Sequence, residues 1–169
     1  MINRIVITGP ESSGKTTLAK HLSARYNVTL VKEYARDYLE NLSKPYTFDD
    51  VILMAEEQLR HELKCNNNLS VCDTDLTVFY VWIKEKYNKE IDWINQHLSS
   101  AKNKIYLLCE VLENWEEDPL REHPSIEDRK RLFNEYKRLL EKYNLKFQII
   151  SGDLKTRQKK CEEIIEKLI

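Results

Sequence analysis

The sequence predicts an α/β fold: a five-stranded parallel sheet flanked by helices, with an irregular lid segment. Three observations predict it. Short β-branched runs alternate with longer stretches of helical period along the 169 residues, the pattern of repeated strand–helix–strand units. Glycine is scarce, three residues where an average share near 7% would give about twelve. Gly9 and Gly14 both fall in "ITGPESSGKTTL", directly after the first strand, and Gly152 follows the last. In an open sheet of this class all three lie at carboxyl ends of strands, where ligands bind.

The strands, in order, are "RIVIT" (4–8), "VTLVK" (28–32), "LSVCD" (69–73), "KIYLLCE" (104–110) and "FQIIS" (147–151). "TTLAKHLSARY" continues the glycine stretch as a helix. "TFDDVILMAEEQLRHEL" opens on Thr47 with Asp50 three residues on, and "SIEDRKRLFNEYKRLLEKY" opens on Ser125 with Asp128; both read as capping boxes. In the latter, Ile126, Leu132, Phe133, Tyr136, Leu139, Leu140 and Tyr143 fall at three- and four-residue steps and form one core-facing stripe. Leu154, Cys161, Ile164, Ile165 and Leu168 do the same in a closing helix. The segment 111–124, "VLENWEEDPLREHP", is polar, proline-marked and without period, as expected of a lid between a strand and a helix. No repeat or linker divides the chain, so residues 1–169 read as one domain.

Composition narrows the partners. Charged residues make up 33% with a net charge of −1 and mixed sign, which provides no overall basic field for nucleic acid or an anionic membrane. The four cysteines, Cys65, Cys72, Cys109 and Cys161, form no C-x-x-C pair and read as reduced apolar residues. Neither a secretory leader nor a membrane span is expected, and the expected location is the cytoplasm. Composition says nothing about the oligomeric state.

Gly9, Gly14, Lys15 and Thr16 satisfy G-x-x-x-x-G-K-[ST] between a strand and a helix, the setting in which backbone amides wrap a phosphate. Lys15 would reach the outer phosphates and Thr16 would ligate magnesium, making ATP and Mg²⁺ the expected cofactors. The other strand ends choose among nucleotide chemistries. Glu33 and Arg36 follow strand two; Asp73 ends strand three and Asp75 lies just beyond it. Carboxylates at two strand ends beside the loop supply one group for the metal and one to accept a hydroxyl proton, which favours a small-molecule kinase. A GTP switch would need Asn-Lys-x-Asp, but Asn88-Lys89 and Asn103-Lys104 have Ile91 and Tyr106 in the aspartate position. Arg121 in the lid, with Arg129 and Arg131 on the next helix, would bring positive charge to the transferring phosphoryl group.

The series "GPESSGKTTL", "EYARDYL", "AEEQ", "DTD" and "LREHPSIEDRKRLF" resembles the ribosylnicotinamide kinase domain of bacterial NadR proteins and, more loosely, the deoxynucleoside and thymidylate kinases. The resemblance implies a P-loop nucleoside/nucleotide-kinase fold and transfer of the ATP γ-phosphate to the 5′-hydroxyl of nicotinamide riboside. A deoxynucleoside or nucleotide kinase, or a regulatory ATPase module without a small acceptor, stands as the alternative. It further implies that Gly9, Glu11, Ser12, Ser13, Gly14, Lys15, Thr16, Thr17 and Gly152 hold ATP, with Thr16 and Asp73 on the metal. Glu33, Tyr34, Arg36, Gln58, Asp73, Asp75 and Trp115 would surround the acceptor nucleoside. Lys15, Glu33, Asp73, Arg121 and Arg129 would carry catalysis, with the base either Glu33 or Asp73. Trp82 is a further possible stacking partner or a core residue. The NadR proteins carry an adenylyltransferase domain before the kinase, and its signature is missing here, so adenylylation is not expected of this polypeptide.

Overall fold

Alternating apolar side chains in β1 (Arg4–Thr8) set the architecture, because Ile5 and Ile7 point to one face of the sheet and Val6 to the other, and all three are buried. A computed structural model, describing residues 2–65 and 68–168, continues this into a parallel sheet with β2 (Thr29–Val31), β3 (Ser70–Asp73), β4 (Lys104–Cys109) and β5 (Lys146–Ile150) in the order β2-β3-β1-β4-β5. Residues 1 and 169, the ends of the predicted domain, lie outside the described residues. All five predicted strands are present; β1 has the predicted bounds and no other strand end is displaced by more than one residue.

On one face, Ile5, Ile7, Val71, Leu107 and Ile150 pack against α1 (Lys15–Tyr26) and α7 (Leu154–Glu166). On the other, Val6, Cys72, Tyr106 and Leu108 meet α2 (Tyr34–Glu40), α3 (Phe48–Leu63), α4 (Leu76–Tyr87), α5 (Asp92–Ser100) and α6 (Ile126–Lys142). Burial on both faces explains why the strands are continuously apolar rather than alternating with polar residues. α4 and α5 fill a connection for which the sequence predicted no helix.

Local chemistry sets the helix ends. Thr47 and Asp50 form the predicted capping box on α3. On α6 the Ser125 hydroxyl accepts from the Asp128 amide as expected and donates to Glu127. The connections after β1 and β3 leave toward opposite faces, through α1 and α4, which opens a crevice at the carboxyl ends of these neighbouring strands.

Candidate functional site

The glycine stretch occupies that crevice. Gly9 adopts φ +134°, and a Cβ there would stand 2.7 Å from the Cys109 carbonyl oxygen, so β1 can turn beside β4 only without a side chain. Gly14, at φ +77°, caps α1 without a side-chain bond, and the first turn of α1 carries no acid. In contrast, α3, α4, α6 and α7 are capped by Thr47, Asp75, Ser125 and Asp153. The first-turn amides of Lys15, Thr16 and Thr17 are therefore left for an anion at the positive end of the helix. The Lys15 ammonium donates to the Pro10 carbonyl at 2.6 Å, as does the Ser13 hydroxyl at 2.7 Å.

The loop forms one wall of an open cleft of about 1530 Å³ whose other walls include Glu33, Arg36, Asp73, Trp82 and Arg121. A single small-molecule site is typically about 300–1,000 Å³; this cleft has room for a donor and an acceptor together. Asp73 pairs in register with Ile7, which sets its carboxylate beside the loop. Burial raises its pKa above the ordinary carboxylate value, while a hydrogen bond with Thr16 and the charge of Lys15 pull the other way. Its Oδ1 is buried without a partner. Burial also raises the pKa of Glu33; Lys15 opposes this and the negative charge of Asp73 adds to it. Glu33 precedes α2 but makes no cap bond, which leaves its carboxylate available.

The orphaned Asp73 Oδ1 and the Thr16 hydroxyl are hard oxygen donors. Among the described residues no group of three or more His, Cys, Asp or Glu could hold a metal alone. This donor set fits Mg²⁺, which takes one or two protein oxygens and completes its shell with water and phosphate.

Several predicted site residues lie elsewhere. Asp75 is 0% exposed and turned away from the cleft: it caps α4 through the Thr77 amide at 2.9 Å, ion-pairs with Lys104 at 2.9 Å and accepts from the Tyr106 hydroxyl at 3.0 Å. Lys104 also pairs with Glu62 at 2.8 Å. The two aspartates diverge because Thr74 takes φ +72°, which breaks the extended geometry that would have aimed both the same way. Gln58 is buried, accepting from the Tyr34 amide at 2.8 Å and donating to the Lys32 carbonyl at 3.3 Å. It thus ties the β2–α2 junction and is not part of the cleft lining. Tyr34 packs edge-on against His61, outside the cleft lining. Gly152, at φ +93°, turns the chain into α7 and is not part of the lining either.

Residues of the 111–124 segment line one side of the cleft and are held there by side-chain ties. Glu11, expected at the nucleotide, accepts from the Glu122 amide at 3.1 Å and the His123 amide at 2.9 Å. The Ser12 hydroxyl donates to the Asn114 carbonyl at 3.4 Å. Arg36 pairs with Asp118 at 2.7 Å. Arg129, expected at the phosphoryl group, is 1% exposed and donates to the Leu112 carbonyl at 2.8 Å, pinning the base of the segment. Trp115, expected at the acceptor, instead has Arg121 and Arg129 over its ring, their guanidinium carbons 5.7 and 5.3 Å from its centroid. Arg121 lines the cleft; Arg131 pairs with Glu85 at 2.9 Å. Trp82 both lines the cleft and stacks on Phe79. Arg157, which no sequence feature singles out, is 3% exposed and bonded to three backbone carbonyls around the loop; nothing in its own neighbourhood distinguishes it from a surface arginine of α7.

The chain is similar to known proteins over most of its length. The model of a family described as an AAA domain matches residues 4–157. The trifunctional NAD biosynthesis/regulator protein NadR of Escherichia coli is 27% identical over 176 residues, covering 99% of this chain and 43% of that protein; the Salmonella typhimurium protein of the same name is 26% identical with the same coverage. The chain thus spans less than half the length of these relatives. Among solved structures, a NadR protein in complex with NR superposes with a TM-score of 0.79 at 23% identity, covering 98% of this chain and 51% of that one. Deoxyadenosine kinase from M. mycoides with bound dATP gives 0.64 at 21% identity, covering 98% of each. The fold is therefore that of the P-loop nucleoside kinases. No helix among the described residues is long and apolar enough to cross a membrane.

Proposed function

The chain belongs to the AAA-domain family, and from that premise we propose that it is an ATP-dependent kinase acting on the 5′-hydroxyl of nicotinamide riboside. The observation that carries this reading is the convergence of Lys15, Thr16, Asp73 and Glu33 on one cleft with room for two ligands. The similarity to NadR proteins over 99% of this chain supports the acceptor.

The amides of the loop and the first turn of α1 would hold the triphosphate, with Lys15 leaving the Pro10 carbonyl for the outer phosphate oxygens. Thr16 and Asp73 would hold magnesium, whose charge neutralises phosphate oxygens when bound. Glu33 is assigned the proton of the acceptor hydroxyl: burial and Asp73 make it more basic than an ordinary carboxylate, and no helix cap occupies it. Arg36 would orient the ribose from α2, and Arg121 would face the transferring group from the 111–124 lid. With the lid over the cleft, water is kept from the phosphoryl group.

Incubation with ATP, Mg²⁺ and a panel of nucleosides, with products separated by chromatography, tests the reading. Nicotinamide mononucleotide is the expected product, and its absence overturns the acceptor assignment. Phosphorylated thymidine or deoxycytidine would select a deoxynucleoside kinase instead. ATP binding without transfer to any member of the panel would select a regulatory module.

A further inference from the structure

Arg157 lies on α7, outside the cleft lining, yet its guanidinium reaches the underside of the nucleotide loop. Its Nε donates to the Gly152 carbonyl at 2.7 Å, and its Nη1 donates to the Ser13 carbonyl at 3.0 Å and the Glu110 carbonyl at 3.1 Å. One side chain therefore joins the end of β4, the turn after β5 and the phosphate loop. All three partners are neutral backbone oxygens, and among the described residues no carboxylate stands within ion-pair distance.

We propose that Arg157 is a positioning residue for the donor phosphates. The inference rests on the loop being the nucleotide site. Two physical consequences of the geometry carry it. In a trans peptide the carbonyl and the following N–H point in opposite directions, so holding the Ser13 carbonyl down toward α7 turns the Gly14 amide up into the cradle. Ser13 precedes α1, and the fork holds its carbonyl from below the cradle. The second consequence is electrostatic. A buried cation with no acid beside it projects its charge into its surroundings, and the nearest strongly anionic partner the protein can acquire is the triphosphate above the loop. Arg157 thus acts through the backbone and through its field without touching the nucleotide.

Arg157→Lys and Arg157→Met test this by calorimetry with ATP–Mg²⁺, with inorganic tripolyphosphate, and with the acceptor nucleoside alone. Affinity for ATP and for tripolyphosphate is expected to fall together by roughly 10- to 100-fold in the methionine variant, with a smaller loss in the lysine variant, while acceptor affinity stays unchanged. An equal loss for acceptor and phosphates would mark Arg157 as merely structural and overturn the proposal, as would variants that bind ATP like the wild type. If the methionine variant does not fold, the lysine variant decides: it keeps the charge but lacks the planar fork whose Nε and Nη1 reach the three carbonyls from two separate nitrogens. A wild-type protein that binds neither ATP nor tripolyphosphate would instead overturn the nucleotide assignment on which this inference stands.

Discussion

The cleft at the carboxyl edge of the sheet and the polar cluster beneath α4 contain the same kinds of side chain, and they differ in what is left unmet. Beneath α4, Asp75, Glu62, Lys104 and Tyr106 are buried and bonded to one another. In the cleft, two residues away along the chain, Asp73 keeps an unpartnered buried oxygen, and both it and Glu33 are pushed above the ordinary carboxylate range by burial. The amides that open α1 have no cap. Satisfied polar groups fix a structure; unsatisfied ones with the same chemistry are held ready for a ligand.

The largest effects should come from the unsatisfied side. Glu33→Gln is expected to lower turnover by about 10²–10⁴-fold with little change in ATP affinity, as removal of a general base does. Asp73→Asn should instead raise the Mg²⁺ concentration needed for half-maximal rate. Because the charged form of Asp73 is penalised by burial, this variant should unfold no more easily than the wild type. Magnesium titrations and thermal midpoints of both variants separate the roles. Equal, mild losses would remove both residues from the chemistry. Lys15→Ala should cost about 10²–10³-fold in rate, the scale of losing one charge-stabilising donor, with circular dichroism unchanged.

The satisfied side predicts the opposite signature. Asp75→Ala leaves the Lys104 ammonium buried with one acid in place of two, and breaking a buried pair costs about 3–5 kcal/mol. Burial alone would push the Asp75 pKa up, but Lys104 and the Thr77 contacts outweigh it and hold the carboxyl low. Its stabilising contribution is therefore present at neutral pH and is lost as pH falls. Denaturant unfolding would measure the loss, and Michaelis constants should not move. If Asp75→Ala spared stability and raised the acceptor KM, the distinction between the two regions would collapse.

The sequence made the sheet and the phosphate loop legible because both are written locally, the strands as buried apolar runs and the loop as glycines at fixed spacing. What it hid depends on tertiary contact. Reading Asp75 as a ligand group deprives α4 of its cap, and α4 buries Leu76, Phe79, Val81 and Ile83 so broadly that no single stripe stands out. α5 is nine residues long and has no side-chain cap. The left-handed Thr74 that parts the two aspartates carries no glycine or asparagine signal. Gln58 and Arg129 read as groups for the acceptor and the phosphoryl group and Arg157 as a helix-surface arginine, and only the folded chain shows all three holding backbone carbonyls or amides. The tie from Glu11 to the lid joins residues more than a hundred positions apart, beyond any local pattern.

That tie carries the smallest predicted effect, and its sign follows from its two charges. The hydrogen bond and charge of Glu11 raise the His123 pKa above its ordinary value, outweighing burial. Burial would raise the pKa of Glu11, but His123 and the backbone amides of Glu122 and His123 lower it overall. The His123 contribution is complete below its unfolded value and is lost as pH rises through the raised one; the Glu11 contribution is lost as pH falls through the lowered one. Both are present together in the mildly acidic range, so the 111–124 segment should loosen as the solution becomes alkaline. The two amide bonds to Glu11 remain when His123 is neutral, which limits the change to a partial opening. Amide hydrogen exchange across residues 111–124 should therefore accelerate modestly, beyond the intrinsic rise with pH, between mildly acidic and mildly alkaline solution. His123→Gln should flatten that excess, while Glu11→Gln should raise exchange throughout the range. Because Asp50 and Thr47 make their contacts elsewhere, on α3, exchange at the start of that helix provides the internal reference. An excess that persists in His123→Gln would show that a group other than His123 titrates to loosen the segment, and would remove the Glu11–His123 pair as its cause.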